Sequence, residues 1–337
     1  MNKYICLVCV LTLIISLCSC KTTDNEDSFS VNNISSEIIS TPEILESEPI
    51  VPPVESSVPQ TESSEITHSQ QTPSVETPMP QPITYSYNLK FTVNDPENTR
   101  GLSTERRGFS FGVASGGVPH NQSIVNQSTF DSMQDVKALA LDNKTSEKVM
   151  YLTFDNGYEY ENLTANILDT LKNKNVKAAF FITMSYAKNN PDLVRRMIDE
   201  GNIVGNHSTT HPSFPKLTRT QMAEEIAKLD DYLLENFSYS SPYFRFPSGE
   251  HSECALELVT SIGFKSIFWS VAYTDWDTSK QNGEEYAHST VTSRFHTGAV
   301  ILLHAVSRDN AQALSRIIDT AHSEGYQFKT LDDYFKE

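Results

Sequence analysis

Hydrophobic positions along the chain form short runs, and the run at 149–154 is the one around which the others are organised. Val149-Met150-Tyr151-Leu152-Thr153-Phe154 is almost continuously apolar, which predicts a strand buried on both faces. The run ends at Asp155-Asn156-Gly157, three residues that favour turns. A carboxylate and an amide therefore stand where a buried strand meets a loop, the place where chemistry collects in parallel α/β proteins. The same residues suit a plain strand exit, so this stretch alone leaves both interpretations open.

The chain after residue 148 alternates between strand-like and helix-like patterns. Apolar runs predict further strands at 178–183, 203–204, 243–246, 264–272, 299–303 and 326–328. Helical spacing predicts helices at 163–171, 193–198, 222–233, 253–262, 284–295, 314–321 and 331–335, and Thr218 with Gln221 forms a capping-box pattern ahead of the third. Strands that alternate with helices imply βαβ units and a mostly parallel sheet. We therefore expect an α/β fold, a distorted (β/α) barrel of about seven strands rather than a complete eightfold one.

Residues 90–148, ahead of this alternation, have a weaker pattern. Phe109-Ser110-Phe111-Gly112-Val113 predicts a short strand, whereas Ser115-Gly116-Gly117 and Asn121-Gln122-Ser123 favour loops. We expect a lead-in segment that packs on the following domain, 149–337, and is not a domain of its own.

The first twenty residues have the pattern of a secretory signal: Lys3, an apolar run at 4–17, and then Cys18-Ser19-Cys20. Leu17-Cys18-Ser19-Cys20 also resembles a bacterial lipobox, which implies cleavage before Cys20 and lipidation of its thiol. The alternative is an uncleaved membrane anchor. Either interpretation predicts an extracytoplasmic location, as a membrane-anchored lipoprotein in the first case.

Residues 21–89 differ in composition from everything that follows. They hold eleven Asp or Glu residues, one Lys, no Arg and no Gly, and nine of the chain's 16 prolines lie between Pro42 and Pro82. Such a segment cannot bury enough apolar surface to offset its chain entropy, so we expect a disordered acidic tether. The net charge of the 337-residue chain is −17, but residues 90–337, with 24 basic and 32 acidic residues, carry only −8. This charge argues against a nucleic-acid partner, which needs a basic face.

The positions of the cysteines predict that the folded part is stabilised by its hydrophobic core and not by disulfides. Four of the five cysteines lie within the first twenty residues, and only Cys254 lies beyond them. After removal of a signal, no disulfide within the domain is possible.

Chemically active side chains recur where predicted strands end. Each of five stretches follows a predicted strand: Asp155-Asn156, His207 to His211, Arg245, Asp275-Trp276 and His304. In a parallel sheet all of them point to the same end, which is a stronger signal than any one motif.

The first three stretches suggest a metal site beside a base. Two histidines four positions apart can bind one cation, and Asn156 could supply a third ligand through its amide oxygen. Asp155 is then the natural base for a bound water, and Arg245 could hold it ionised. The alternatives are two surface histidines and a structural ion pair.

The last two stretches suggest a proton donor. His304 could act as the general acid, with Asp275 orienting it and keeping it protonated. The alternative is a satisfied core histidine. Trp276 and Trp269 could line a sugar-sized groove, although tryptophans are more often core residues.

Together these stretches resemble the NodB-type polysaccharide deacetylases, carbohydrate esterase family 4. The resemblance covers about Val149 to Tyr334, and five motifs of that family occur in order: Thr153-Phe154-Asp155-Asn156-Gly157, His207-Ser208-Thr209-Thr210-His211, Arg245-Phe246-Pro247-Ser248-Gly249, Asp275-Trp276 and Leu302-Leu303-His304. An ordered set is far more specific than one motif. It implies the distorted barrel of the NodB homology domain and a hydrolase that removes acetyl groups from amides.

Asn156 departs from the family pattern, which has a metal-binding Asp at this position. Asn156-Gly157-Tyr158-Glu159, with the stretches 268–272 and 302–311, resembles the delta-lactam-biosynthetic de-N-acetylases of spore-forming bacteria. That resemblance implies deacetylation of N-acetylmuramic acid in peptidoglycan glycan strands, a step toward muramic δ-lactam in spore cortex. The alternative substrate is a polysaccharide that contains N-acetylglucosamine, in peptidoglycan or a chitin-like chain.

The resemblance also assigns roles to single residues. It implies catalytic roles for Asp155, Arg245, Asp275 and His304, a divalent metal on His207, His211 and Asn156, and substrate contacts at Tyr158, Pro247, Gly249, Trp276 and Leu302. Zn²⁺ is the expected ion, and Mn²⁺, Co²⁺ and Mg²⁺ are alternatives. Because of Asn156, the sequence leaves open whether the metal is essential.

Two further functions compete with deacetylation. A glycosidase would use Asp155 and Asp275 as its two carboxylates and would release new reducing ends. A tethered wall-binding module would bind glycan without catalysis. If the chain is a deacetylase of spore peptidoglycan, a muramoyl-alanine amidase that strips the stem peptide is a candidate partner acting before it.

Overall fold

Parallel strands form the sheet on which the domain is built. The structure is a computed structural model and describes residues 90–336. Within that range the strands are β1 Ala138–Leu139, β2 Val149–Asn156, β3 Ala179–Ile182, β4 Ile203–Asn206, β5 Tyr243–Phe244, β6 Lys265–Ile267, β7 Ala299–His304 and β8 Gln327–Phe328. They pair in the order β1-β6-β5-β4-β3-β2-β7, and β8 pairs with the beginning of β2. All these pairings are parallel, as the alternation of strands and helices predicts.

Helices connect the strands and cover the outside of the sheet. They are α1 Asn121–Ser132, α2 Leu163–Asn173, α3 Met184–Asn189, α4 Pro191–Asp199, α5 Arg219–Phe237, α6 Glu253–Ser261, α7 Glu284–Thr292, α8 Arg308–Ser323 and α9 Leu331–Phe335. The predicted capping box is confirmed, because Thr218 and Gln221 bond reciprocally at the start of α5. Helices α1 and α3 were not predicted, and the interpretation of Asn121-Gln122-Ser123 as a loop is wrong, because these residues begin α1. Helix α3 is short, and its N-cap Thr183 accepts a hydrogen bond from the backbone N–H of Tyr186.

The sheet curls into a distorted barrel, which confirms the predicted fold class. Val271, beyond the end of β6, bridges Ile301 of β7 in parallel orientation, and the N–H of Leu302 donates to the carbonyl of Val271 at 2.8 Å. Since β6 and β7 lie near opposite ends of the strand order, these bonds close the sheet. The closure is irregular because the chain beyond β6 is no longer a regular strand. The predicted strand 264–272 is therefore wrong in extent, since it is regular only over Lys265–Ile267.

Strand β2 pairs with three other strands, β3, β7 and β8. All eight of its residues are buried, as its continuous apolar run predicts. Met150 and Phe154 pack in the core beneath the helices, whereas Tyr151 belongs to a second cluster on the other face. Residues Thr153 and Asp155 alternate with Phe154, so their side chains point to the barrel interior.

The lead-in segment packs on the barrel and belongs to the same compact unit. It supplies edge strand β1, which pairs with β6, and the ring of Phe109 stacks 4.5 Å from that of Phe268. The predicted strand at 109–113 is wrong. Phe109 makes one backbone bond to Gly249, and Gly112 then turns the chain with a φ of +71°, where a Cβ would meet the His120 ring.

The predicted signal at 1–20, the tether at 21–89 and lipidation of Cys20 lie outside the described residues. No helix within 90–336 combines the length and the apolar character that a membrane span requires.

Candidate active site

The carboxyl ends of neighbouring strands bring the predicted side chains to one edge of the sheet. Asp155 of β2 and His304 of β7 are direct partners in the strand register. Strands β4 and β5 pair at residues immediately before His207 and Arg245. All four side chains therefore come from the carboxyl ends of strands in one part of the sheet, β5-β4-β3-β2-β7, in which β3 lies between the two pairs of strands.

Asp155 is held by a buried arginine. Arg245 is fully buried, and its Nη1 donates to Asp155 Oδ1 at 2.7 Å. Its other nitrogens donate to Thr153 Oγ1 at 2.9 Å and to the carbonyl of Ile267 at 3.0 Å, so the guanidinium is fixed. Asp155 Oδ2 lies 3.6 Å from Nε2 of His207, on the side away from the arginine. One carboxylate oxygen is thus occupied and the other faces the imidazole.

The surroundings of Asp155 favour its ionised form. Burial by itself would raise the pKa of this carboxyl, but the charge and hydrogen bond of Arg245, together with the neighbouring histidines His207 and His304, outweigh burial and hold the pKa below its ordinary value. The Arg245 guanidinium lies 4.2 Å from the centre of the Phe181 ring, a cation–π contact that helps to accommodate the buried charge. The carboxylate is consequently ready to accept a proton at neutral pH.

A short loop after β4 carries the two histidines. It is a turn and not a helix, and Glu225 of α5 accepts hydrogen bonds from the backbone N–H groups of Thr209 and Thr210. The ring centres of His207 and His211 lie 4.9 Å apart with their planes at 74°. His207 is buried and His211 is exposed, so one ring lies inside the pocket and the other lies at its mouth.

The tautomer of His207 suits a metal ligand. Its Nδ1 lies 2.9 Å from the carbonyl oxygen of Arg245, and a carbonyl only accepts, so Nδ1 carries the proton. Its Nε2 then presents a lone pair toward Asp155. Burial lowers the pKa of His207 to about 4, which keeps the ring neutral at physiological pH. A backbone acceptor that orients a metal-binding imidazole is a common arrangement.

Asn156 is fully buried on the opposite side of β2 from Asp155. Its Nδ2 donates to Thr164 Oγ1 of α2 at 3.3 Å, and its Oδ1 is buried with no hydrogen-bond partner. A buried carbonyl oxygen without a donor is unusual, and coordination of a cation is one way to satisfy it.

The donor set is compatible with a divalent cation but is poorer than a full protein cage. Across 90–336 no three His, Cys, Asp or Glu side chains form a metal-binding group. Two neutral imidazoles would leave a bound ion with positions for water or substrate. On chemistry, His207 and His211 fit the group, whereas the Asn156 amide lies on the other side of β2, against Thr164, so its role as a third ligand stays a prediction.

His304 is held by Asp275 through two bonds. Asp275 Oδ1 lies 2.7 Å from His304 Nδ1, and its Oδ2 accepts the backbone N–H of His304 at 2.8 Å. Burial would lower the pKa of the imidazole, but the charge and hydrogen bond of Asp275, together with the charge of Asp155, outweigh burial and raise the pKa above its ordinary value. With Nδ1 engaged, Nε2 remains to donate a proton.

The predicted substrate contacts divide by exposure. Trp276 is 54% exposed, its ring centre lies 5.7 Å from that of His304, and Tyr158 is similarly exposed. Pro247, Gly249 and Leu302 are buried. Gly249 has a φ of +66°, and a Cβ there would meet the Trp269 ring and the Cβ of Phe109, so packing requires a glycine at this position.

Three residues of the site were not predicted. Thr153 accepts from Arg245, while Asn310 and Tyr273 extend the hydrogen bonds of Asp275. Thr153 and Asn310 lie inside stretches that carry the family resemblance, so position within those motifs was the available signal. For Tyr273 the sequence offered no signal except its place between the predicted strand 264–272 and Asp275.

A comparison with known families identifies a match in the same region. The sequence pattern of the family described as Polysaccharide deacetylase matches residues 142–267. That range includes the strand ends of β2, β4 and β5.

Individual relatives match more of the chain. The chain is 41% identical over 194 residues to peptidoglycan-N-acetylmuramic acid deacetylase PdaA of Bacillus subtilis. The aligned residues cover 57% of this chain and 73% of that protein. It is 32% identical over 203 residues to peptidoglycan-N-acetylglucosamine deacetylase of Bacillus cereus, or 59% and 72% of the two chains. The solved structure of Bacillus subtilis PdaA, a family 4 carbohydrate esterase, superposes with a TM-score of 0.64 at 37% identity, covering 70% of this chain and 100% of that one.

Proposed function

This chain belongs to the polysaccharide deacetylase family, and we propose on that premise that it removes the N-acetyl group from N-acetylmuramic acid in peptidoglycan. The relative with this activity in its name shares more identity with the chain than the glucosamine-specific relative does. The single observation that carries the proposal is the meeting of a base pair and an acid pair, Asp155–Arg245 and His304–Asp275, on adjacent strand ends.

Asp155 acts as the general base in this proposal. Its Oδ1 is occupied by Arg245, so Oδ2 takes the proton of the attacking water. The lowered pKa keeps the carboxylate available at neutral pH. General bases of this kind contribute about 10²–10⁴-fold to rate.

His304 acts as the general acid. Its Nε2–H donates to the amide nitrogen as the C–N bond breaks, and the products are acetate and a free amine. Asp275 favours the protonated imidazole that this step needs. Because β2 and β7 are neighbours, water activation and amine protonation take place on facing sides of one acetamide.

His207 and His211 are the residues that would hold a divalent metal beside Asp155. Such an ion, Zn²⁺ in the first instance, would polarise the acetyl carbonyl and lower the pKa of the attacking water. His207 stays neutral through the fixed tautomer of its ring, which suits this role.

Exposed aromatic rings would bind the sugar. Trp276, beside His304, offers an apolar face with a polar edge, and Tyr158, which follows the end of β2, is also exposed. Stacking there would orient the acetamide between the base and the acid.

Deacetylation of N-acetylglucosamine is the second candidate. It rests on the 32% identical relative whose name carries that substrate, and it requires the same chemistry. The choice depends on recognition of the lactyl group, which only muramic acid has.

Muropeptide mass spectrometry tests the proposal. Full-length protein is incubated with purified spore peptidoglycan, and the glycan is digested and analysed. Loss of one acetyl group from muramic residues, absent with Asp155→Asn, is the expected result. Loss from glucosamine alone would favour the second candidate, and new reducing ends without acetate would overturn deacetylation.

The cellular setting is also part of the proposal. We expect that Cys20 is lipidated and that the protein lies outside the cytoplasm. We also expect it to act in spore cortex after an amidase has removed the stem peptide. Radiolabelled palmitate incorporation that disappears in Cys20→Ala would support the lipid anchor.

A further inference from the structure

We infer that Asn310 is a positioning residue that fixes the Asp275 carboxylate against His304. The inference rests on the proposed function of His304 as the proton donor. It concerns a residue that does not touch the reacting atoms and acts only through Asp275.

A chain of four side chains carries the inference. The Tyr273 hydroxyl lies 2.6 Å from Asn310 Oδ1, Asn310 Nδ2 lies 2.6 Å from Asp275 Oδ2, and Asp275 Oδ1 lies 2.7 Å from His304 Nδ1. Asn310 and Asp275 are both buried. Solvent water therefore does not compete for the hydrogen bond between Asn310 and Asp275.

Donors and acceptors in this chain have only one consistent direction. An ionised carboxylate only accepts, so the amide nitrogen of Asn310 must donate to Asp275. The amide oxygen then faces Tyr273, whose hydroxyl must donate to it. Burial raises the pKa of Tyr273, and the nearby Asp275 raises it further, so the phenol keeps its proton. Every hydrogen bond is thus directed toward the Asp275 carboxylate.

Asn310 is itself fixed by the start of helix α8. Its backbone N–H donates to Ser307 Oγ at the N-cap, and its Nδ2 also lies 3.3 Å from the carbonyl oxygen of His304. The amide therefore contacts both members of the Asp275–His304 pair. Asp275 Oδ2 receives two donors, from Asn310 and from the His304 backbone, and cannot rotate without losing both.

Other charges act on the His304 ring as well. Asp155 of β2 raises the pKa of His304, and Arg245 lowers it, while Asp275 contributes most among the charges. The attraction between Asp275 and the imidazolium falls with distance. A looser Asp275 would therefore make His304 easier to deprotonate.

Substitution of Asn310 by Ala tests the inference with two independent readouts. We expect kcat for acetate release to fall about tenfold with KM unchanged, as for other residues that orient a catalytic or ligand side chain from behind. By NMR, with the signal assigned through His304→Gln, the pKa of His304 should fall by about half a pH unit or more. Tyr273→Phe removes only the terminal donor and should give smaller falls in kcat and in the His304 pKa. It serves as the second variant if Asn310→Ala does not fold.

Asn202→Ala is the matched control. Asn202 is a buried asparagine whose Oδ1 accepts the backbone N–H of Ala178, far along the chain from His304. It should lower thermal stability and leave the His304 pKa unchanged.

The outcomes are separable from the proposed function. If wild-type protein releases no acetate, the deacetylase proposal fails, but the NMR titration still tests Asn310. An unchanged or raised His304 pKa in both Asn310→Ala and Tyr273→Phe would overturn the inference, even if stability fell.

Discussion

Two carboxylate–cation pairs stand side by side in this site, and they have the same length. Asp155 meets Arg245 at 2.7 Å, and Asp275 meets His304 at 2.7 Å. In the first pair the arginine side chain is fully buried and the aspartate is 10% exposed. In the second pair the aspartate is 1% exposed and the histidine 23%. The more exposed member is the aspartate in one pair and the histidine in the other.

The difference shows how one kind of ion pair can support opposite chemistry. In each pair the more buried partner is fixed. The less buried partner keeps one polar atom that is not engaged by the pair, Oδ2 of Asp155 or Nε2 of His304. The buried cation lowers the pKa of Asp155, whereas the buried anion raises that of His304. Which member faces the pocket therefore decides whether the pair is suited to accept or to donate a proton.

The largest effect is expected for Asp155→Asn. Acetate release should fall by about 10³-fold or more, because the base is lost. The free energy of unfolding should also fall, by about 3 kcal/mol, because the Arg245 charge remains buried without a counter-charge. Acetate assays and urea unfolding measure the two effects.

Asp319→Asn is the control for this stability effect. Lys174 and Asp319 also lie 2.7 Å apart, but Asp319 is 58% exposed, so the change should stay below about 1 kcal/mol. Equal destabilisation by the two substitutions would contradict the role given to burial.

His304→Gln should lower turnover by about 10²-fold, since the general acid is lost. Its stability cost should be smaller than that of Asp155→Asn, because the side chain reaches solvent and Asp275 keeps its bonds to backbone and Asn310. His288→Gln, a substitution in α7 at a histidine that contacts Thr320, should leave acetate release unchanged.

The pH profile distinguishes this acid from other histidines. His304 must be protonated, and its raised pKa means that activity persists above pH ~6.5, the ordinary histidine value, and falls as pH rises through the higher one. The stabilisation from this pair is likewise complete below about pH 6.5 and lost over the same rise. If the residual activity of His304→Gln still fell as pH rises, that fall would have to be assigned to another group.

Metal removal tests the side of the site that holds the base. Exhaustive chelation should lower acetate release by at least about tenfold, with recovery on adding Zn²⁺, Mn²⁺ or Co²⁺. Since burial lowers the pKa of both His207 and His211, the two rings stay neutral near pH 7, and metal retention should be insensitive to small pH changes there. Full activity after chelation would remove the metal from the mechanism.

Trp276→Ala should give the smallest effect. The ring is mostly exposed, so stability should not change, while KM for glycan should rise about fivefold, equivalent to about 1 kcal/mol of lost stacking. Trp276→Phe should recover much of the affinity. A fall in kcat with constant KM would instead place Trp276 with His304.

Much of the site was predictable because strand polarity is written in the sequence. Asp155, His207, Arg245, Asp275 and His304 each follow an apolar run, and a parallel sheet must bring such ends together. The motif order added the roles expected of each residue. The short length of β6 and the missing strand at 109–113 were not predictable, because local apolar runs do not specify which backbone partner is in reach.

The sequence by itself determined the parallel α/β class, the full burial of strand β2 and the set of reactive residue types, since these follow from local periodicity and chemistry. Only the tertiary structure decided which member of each ion pair is buried, which nitrogen of His207 holds its proton, and that Asn310 and Tyr273 stand behind Asp275. Those properties depend on contacts between residues far apart in the chain. A pattern along the sequence does not contain them until the sheet has closed.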